Sequence, residues 1–212
     1  LPIYRQQDYF AGSGWLPSRS TLLNLLVASA FVIRPLIEHF KQSVLEDSVI
    51  GTDDTPVTLL LPKNISKPDD NDPKSQRIHD VFAKAVALGS PSVSARMWAY
   101  RGVSVPLNVF DFTVSWHRDG PDAFLKNFCG KLMADCYSGY QAIALRSNGS
   151  IQRWACLSHA RRKVFDSREV YPLESSVVLA KIQQLYDIED RAKTLSPYER
   201  LALREAEALP IW

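Results

Sequence analysis

The sequence predicts a mixed α/β fold, and three observations carry that expectation. Runs rich in Val, Ile, Thr and Leu are interspersed with segments of helical apolar spacing. The early extended runs can pair as a meander, while the later ones are reached through crossover helices. The chain is 46% apolar and 23% charged, which is ordinary for a globular protein, and 212 residues suffice for one substantial domain plus an appendage.

Residues 1–45 read as a helical segment. Tyr4 to Ala11 is a short amphipathic run, broken by Gly12, Gly14 and Pro17. Ser18 or Ser20 can cap the next helix, which carries Leu22, Leu25, Leu26 and Ala30. Two helices joined by a Gly-containing turn fit either a helix-turn-helix remnant or a linking hairpin packed on the main domain. The longest apolar stretch, Leu22 to Ile33, is interrupted by Asn24 and followed by Arg34 and Pro35. It falls short of the roughly 20 apolar residues that span a bilayer, so no membrane partner is expected. The chain opens on Leu1 with no signal peptide visible, and it is expected to be a fragment or processed piece.

The texture changes near residue 46. Ser48 to Leu61 reads as extended, broken near Pro56. Asn64 to Lys74 holds Pro68, Pro73 and several Asp, so it is a solvated loop. Arg77 to Leu88 repeats apolar residues at Ile78, Val81, Phe82, Ala85 and Val86, a one-sided helix that Gly89 and Pro91 end. Ala95 to Tyr100 and Leu107 to Val114 are further strands, and Gly120-Pro121 opens a short helix through Phe124 and Phe128. Lys131 to Asp135 and Ile151 to Cys156 complete the strands. Ser158 then caps a basic helix, the chain is helical from Glu174 to Arg191, and Ser196-Pro197 starts a last helix that ends near Pro210.

Charge narrows the function classes. The 25 Lys+Arg against 23 Asp+Glu leave a net +2, too little to argue for nucleic acid without local clustering. The three cysteines, Cys129, Cys136 and Cys156, form an odd set that implies no disulfide framework; a reducing cytoplasm is expected.

Carboxylates stand out by context. Asp53 lies within the first strand and Asp135 closes the strand Leu132-Met133-Ala134. The carboxyl ends of strands are where open α/β sheets place ligands, although a single such Asp can simply cap a turn. Glu189 is more telling. With Val178 as zero on a helical wheel, Glu189 falls at about 20°, between Ile182 at about 40° and Leu185 at about −20°. A carboxylate on an apolar face needs a cation, which is either an Arg or Lys partner or a metal.

Cys156-Leu157-Ser158-His159 has a Cys-x-x-His spacing, yet zinc needs four ligands and Cys129 and Cys136 are not spaced to complete a set. A strand-to-helix junction with a packed thiol and a hydrogen-bonding imidazole fits better. Arg161, Arg162 and Lys163 follow, with Arg168 beyond. They form either a solvated face or, beside a metal-holding acidic cluster, a set of phosphate contacts.

These residues together resemble the transposases of the bacterial insertion sequence 66 family. Leu1-Pro2-Ile3-Tyr4-Arg5-Gln6 and Ser18-Arg19-Ser20-Thr21-Leu22 are similar to the segment preceding that family's catalytic domain. Asp53-Asp54-Thr55-Pro56-Val57 is similar to its first acidic motif, Asp-Glu-Thr-Pro, and Ala134-Asp135-Cys136-Tyr137-Ser138-Gly139-Tyr140 to its second. Cys156 to Lys163 looks like its Cys-x-x-His-Ala-Arg-Arg-Lys, and Leu185 to Glu189 like the helix bearing its last acid. Ser196-Pro197, Glu199-Arg200 and Leu203-Arg204 follow in the matching order. Asp54 stands where the family has Glu, and Gly51-Thr52 where it has His-Ala.

The resemblance implies a ribonuclease H-like catalytic domain over 46–195, with an insertion at about 64–93 and a truncated C-terminal helix over 196–212. In that fold the first and fourth strands are neighbours. It implies an Asp53, Asp135 and Glu189 triad holding Mg²⁺ or Mn²⁺, with Arg161, Arg162 and Lys163 on DNA. Cys156 and His159 would either brace the junction or touch substrate. The implied activity is hydrolysis and strand transfer at transposon ends by a homo-oligomer on DNA. The rival expectations are an inactive remnant that only binds DNA, and a nuclease of the same fold that does not join strands.

Overall fold

In the computed structural model, which describes residues 2–212, a five-stranded mixed sheet organises the chain. The strands are β1 (Val49–Leu60), β2 (Ser92–Gly102), β3 (Asn108–Thr113), β4 (Gly130–Ala134) and β5 (Ile151–Ala155). Their order is β3-β2-β1-β4-β5. The β1–β2 and β2–β3 pairs are antiparallel, and β1–β4 and β4–β5 are parallel. The meander, the crossovers and the adjacency of the first and fourth strands agree with the sequence reading.

One detail differs. β1 runs unbroken through Pro56. β4 pairs with β1 only over Val49–Gly51, so from there onward β1 has one open edge. Proline, which lacks an N–H, is tolerated on such an edge.

The N-terminal segment is two helices, α1 (Ile3–Ala11) and α2 (Arg19–Leu45). Ser18 caps α2 by accepting the Thr21 N–H at 3.0 Å. Helix α2 continues through Pro35 and is long and apolar enough, by length and composition, to cross a membrane. The apolar stretch ending at Ile33 understated that length. Its last turns belong to the sheet domain: Val44 is fully buried and Phe40 packs on the core. The earlier turns expose Leu25, Leu26, Val27, Phe31 and Val32.

Helix α3 (Pro73–Ala87) lies in the β1–β2 connection, within the segment read as an insertion. Arg77 on α3 pairs with Asp119 at 2.5 Å, on the short helix α4 (Asp119–Phe124). Helix α5 (Ser138–Arg146) links β4 to β5. The core fills one face of the sheet. Ile50, Trp98, Tyr100 and Leu132 from the strands meet Phe124, Leu125, Phe128, Tyr140 and Ile143. Tyr100 stacks on Phe124 with ring centroids 3.6 Å apart.

Beyond β5 come α6 (Leu157–Asp166), α7 (Pro172–Ala192) and α8 (Pro197–Leu203). Helix α7 buries Ile182, Leu185, Ile188 and Ala192. A capping box between Ser196 and Glu199 starts α8. The last helix does not run on unchanged to Pro210: it widens into a π turn at Arg204–Ala208 and tightens into a 3₁₀ turn at Leu209–Ile211.

Candidate active site

The strands that lead to the first two acids are neighbours in the sheet. In the parallel β1–β4 pair, Gly51 lies opposite Met133. Beyond that pair β1 continues to Asp53, whereas β4 ends at Ala134 and Asp135 is the next residue. Asp53 is open to solvent, with a side chain 61% exposed. Its Oδ1 accepts the Asp54 N–H at 2.9 Å. Asp135 follows the end of β4, its Oδ1 accepts the Tyr137 N–H at 3.0 Å, and its carbonyl accepts Arg153 Nη2 at 2.5 Å.

The β5–α6 junction carries the Cys-x-x-His segment to the same place. Ala155 pairs with Ala134, and the Cys156 N–H donates to the Ala134 carbonyl at 2.9 Å. Cys156 is thus the residue beside Asp135, a half-buried free thiol. One turn of α6 later, His159 places Nε2 3.5 Å from Asp53 Oδ1. Its Nδ1 is buried with no partner. Helix α6 has no side-chain cap and no acid in its first turn, so its positive end adjoins the carboxylates. The sequence left His159 open between bracing and substrate contact; in the structure it stands against Asp53.

Glu189 is placed differently from the sequence expectation of a buried face. Its side chain is 44% exposed and lines a cavity of about 340 Å³ with Leu157, Leu185, Tyr186, Arg204, Leu209 and Trp212. Arg204 donates to both oxygens, Nε to Oε1 and Nη2 to Oε2, each at 2.7 Å. These bonds, outweighing partial burial, hold the Glu189 carboxyl below its ordinary range. The cation that the helical wheel demanded is therefore an arginine. Among the described residues no three His, Cys, Asp or Glu side chains converge as a metal cage.

Arg161, Arg162 and Lys163 are exposed on α6. Arg161 and Arg162 line a groove with Ser158, Phe165, Gln183 and Tyr186, where α6 meets α7. Arg168 is occupied differently, lying 3.7 Å over the Phe165 ring.

Sequence reasoning missed a cluster on the opposite sheet face. Asp54 points away from Asp53 and is only 10% exposed, with Arg96 Nε 3.2 Å from its Oδ2. Burial raises the Asp54 carboxyl above its ordinary range, and Arg96 and the Trp116 indole oppose that rise. Period-two alternation from Asp53 was the available signal for Asp54. Nothing local marked Arg96 or Trp116.

Three uncharacterized proteins of Sinorhizobium fredii (strain NBRC 101917 / NGR234) are similar to the chain. They are y4jD at 27% identity, y4qI at 24% and y4hP at 26%. Each match covers all of this chain, which spans 39%, 37% and 37% of those proteins. No solved structure matches it. A family model described as "Transposase IS66 family" matches residues 1–212. That match covers the full chain, including Asp53, Asp135 and the junction that carries Cys156 and His159, and the chain belongs to the IS66 family of transposases.

Proposed function

We propose that this chain is the catalytic region of a DNA transposase with a ribonuclease H-like sheet. The observation that supports the reading is the parallel β1–β4 pairing over Val49–Gly51, after which β1 continues to Asp53 and β4 ends next to Asp135. The strand order, with the first strand between the second and the fourth, supports it.

The donor set suits a hard divalent cation. Two carboxylates with open oxygen lone pairs favour Mg²⁺ or Mn²⁺ over softer metals. Asp53 and Asp135 would hold the ion. Glu189 would join them only by giving up part of its pairing with Arg204. Bound there, the ion supplies Lewis-acid polarisation of a phosphodiester and a more acidic attacking water or hydroxyl.

The protein's own residues do the rest. His159 steadies Asp53, and the Tyr137 N–H fixes one Asp135 oxygen, leaving the other free. Arg161, Arg162 and Lys163 neutralise DNA phosphates along α6. The reaction is in-line displacement at phosphorus, first by water and then by the freed 3′-hydroxyl on target DNA.

The test is nicking of supercoiled plasmid with Mn²⁺, followed by joining of a labelled 3′-hydroxyl oligonucleotide to target DNA. Cleavage lost by at least ~10³-fold in Asp53→Asn and in Asp135→Asn supports the reading. Cleavage that persists in both variants overturns it, and cleavage without joining assigns a nuclease. The Arg204–Glu189 pair favours a second reading, a chain that binds DNA without cutting. That reading predicts retention of DNA and no nicking at any Mn²⁺ concentration.

A further inference from the structure

We propose that Asp54, Arg96 and Trp116 form a positioning assembly for Asp135, acting through the backbone of Tyr137. The inference rests on the reading of Asp135 as a metal-holding carboxylate.

Asp135 stands just beyond β4, at the start of the connection to α5. A carboxylate there is free to swing unless something holds it. One oxygen is held by the Tyr137 N–H at 3.0 Å, so the orientation of Asp135 follows the placement of Tyr137.

Tyr137 is fixed from three sides. Its ring stacks on Trp116, with centroids 4.8 Å apart and planes 18° apart. It meets Tyr140 edge-on at 5.5 Å. Its hydroxyl donates to the Trp116 carbonyl at 3.2 Å. Tyr140 is itself anchored, since its hydroxyl lies 3.0 Å from Thr52 Oγ1 in the core.

Trp116 lies in the loop between β3 and α4, and its ring is half exposed. A loop tryptophan with that exposure needs partners to stay in one place. The Arg96 guanidinium carbon lies 4.8 Å from the centre of its ring. Its indole also opposes the rise that burial imposes on the Asp54 carboxyl. Asp54 and Arg96 are rooted in β1 and β2, with Arg96 Nε 3.2 Å from Asp54 Oδ2. The connection therefore runs from rigid strands, through one aromatic stack, to the backbone amide that orients Asp135. It approaches from the sheet face opposite Asp53, and no member need touch metal or DNA. A group placed in this way contributes by preorganisation: it removes alternative orientations of Asp135 before the ion arrives.

The test compares the intact chain with Trp116→Ala, Trp116→Phe and Asp54→Asn. Calorimetric Mn²⁺ titration reads the affinity, and amide hydrogen exchange reads the Tyr137 N–H. Trp116→Ala and Asp54→Asn should each weaken Mn²⁺ binding about five- to tenfold and speed Tyr137 exchange at least about fivefold, with the melting transition kept. Trp116→Phe, which keeps a stacking ring, should recover most of both effects. Unchanged Tyr137 exchange in Trp116→Ala overturns the assembly, whatever the metal result. Faster exchange with unchanged Mn²⁺ affinity also overturns it, because Tyr137 then does not govern Asp135. Absence of Mn²⁺ binding by the intact chain is a distinct outcome: it removes the metal reading, and with it the purpose assigned here to the assembly.

Discussion

Arg204 grips Glu189 through a two-pronged ion pair, Nε to Oε1 and Nη2 to Oε2, each at 2.7 Å. The two residues come from different helical segments, α7 and the π turn after α8. A π turn displaces the following side chains from the regular helical face, and such turns occur often at functional sites. Here Arg204, the first residue of that turn, meets an acid on the apolar stripe of α7.

That pair gives a pH signature. Arg204 holds the Glu189 carboxyl below its ordinary value of 4.5, so the folded state binds that proton less readily than the unfolded chain. The stabilisation is therefore complete above 4.5 and fades as pH falls through the lower folded value. Both side chains are nearly half exposed, so solvent screening keeps the contribution to about 1 kcal/mol or less. Arg204→Ala should lose up to about that much at pH 7 and nothing in strong acid, as read by urea unfolding at each pH.

The β1–β4 pairing that precedes Asp53 and Asp135 can be tested through Gly130. A Cβ there would sit 2.5 Å from the Ser48 carbonyl oxygen, which already accepts the Lys131 N–H at 2.9 Å. The other close neighbour is the buried Phe128 ring at 3.0 Å, so the Ser48 backbone has to move. Gly130→Ala should destabilise the chain by about 1–3 kcal/mol in denaturant unfolding, because the β1–β4 contact must open to admit the methyl group.

Tyr140 joins the core to β1 beside the acids. Its ring is fully buried and its hydroxyl lies 3.0 Å from Thr52 Oγ1. Tyr140→Phe removes one partner and leaves the threonine hydroxyl buried, which costs about 1–2 kcal/mol. Burial pushes the Tyr140 hydroxyl well above its ordinary range, so the loss should stay the same from pH 6 to pH 9. Thermal unfolding of the variant across that range checks both points.

The basic run on α6 makes a salt prediction. If Arg161 and Arg162 each neutralise one phosphate, replacing both with Ala lowers the slope of log affinity against log salt by about 2. The loss should be equal for unrelated DNA sequences, as phosphate contacts carry no base readout. Fluorescence anisotropy at several salt concentrations measures it.

Much of this was legible in the sequence, for physical reasons. β1 announced itself through β-branched residues and β4 as a short apolar run, and an acid within the first and one after the second pointed to a site. The β5–α6 junction was legible because an apolar strand meets a basic helix at Cys156. The burial of Glu189 was not. A wheel gives the angle of a residue on its own helix and says nothing about what covers it. The stripe of α7 at Glu189 opens onto a cavity roofed by the C-terminal segment, which admits both arginine and solvent. Nor was Asp54 legible as a separate element, because in sequence it reads as the second half of one acidic motif. Alternation across the sheet turns the two aspartates to opposite faces, and the partners of Asp54 come from residues 96 and 116.

The central claim is that Asp53 and Asp135 form one metal-holding pair. Its most direct test is a crystal structure of this chain soaked in Mn²⁺, located by anomalous scattering. The account predicts an ion with oxygens of both Asp53 and Asp135 within about 2.0–2.4 Å. An ion held elsewhere, or two aspartates that share no ion at saturating Mn²⁺, would contradict it.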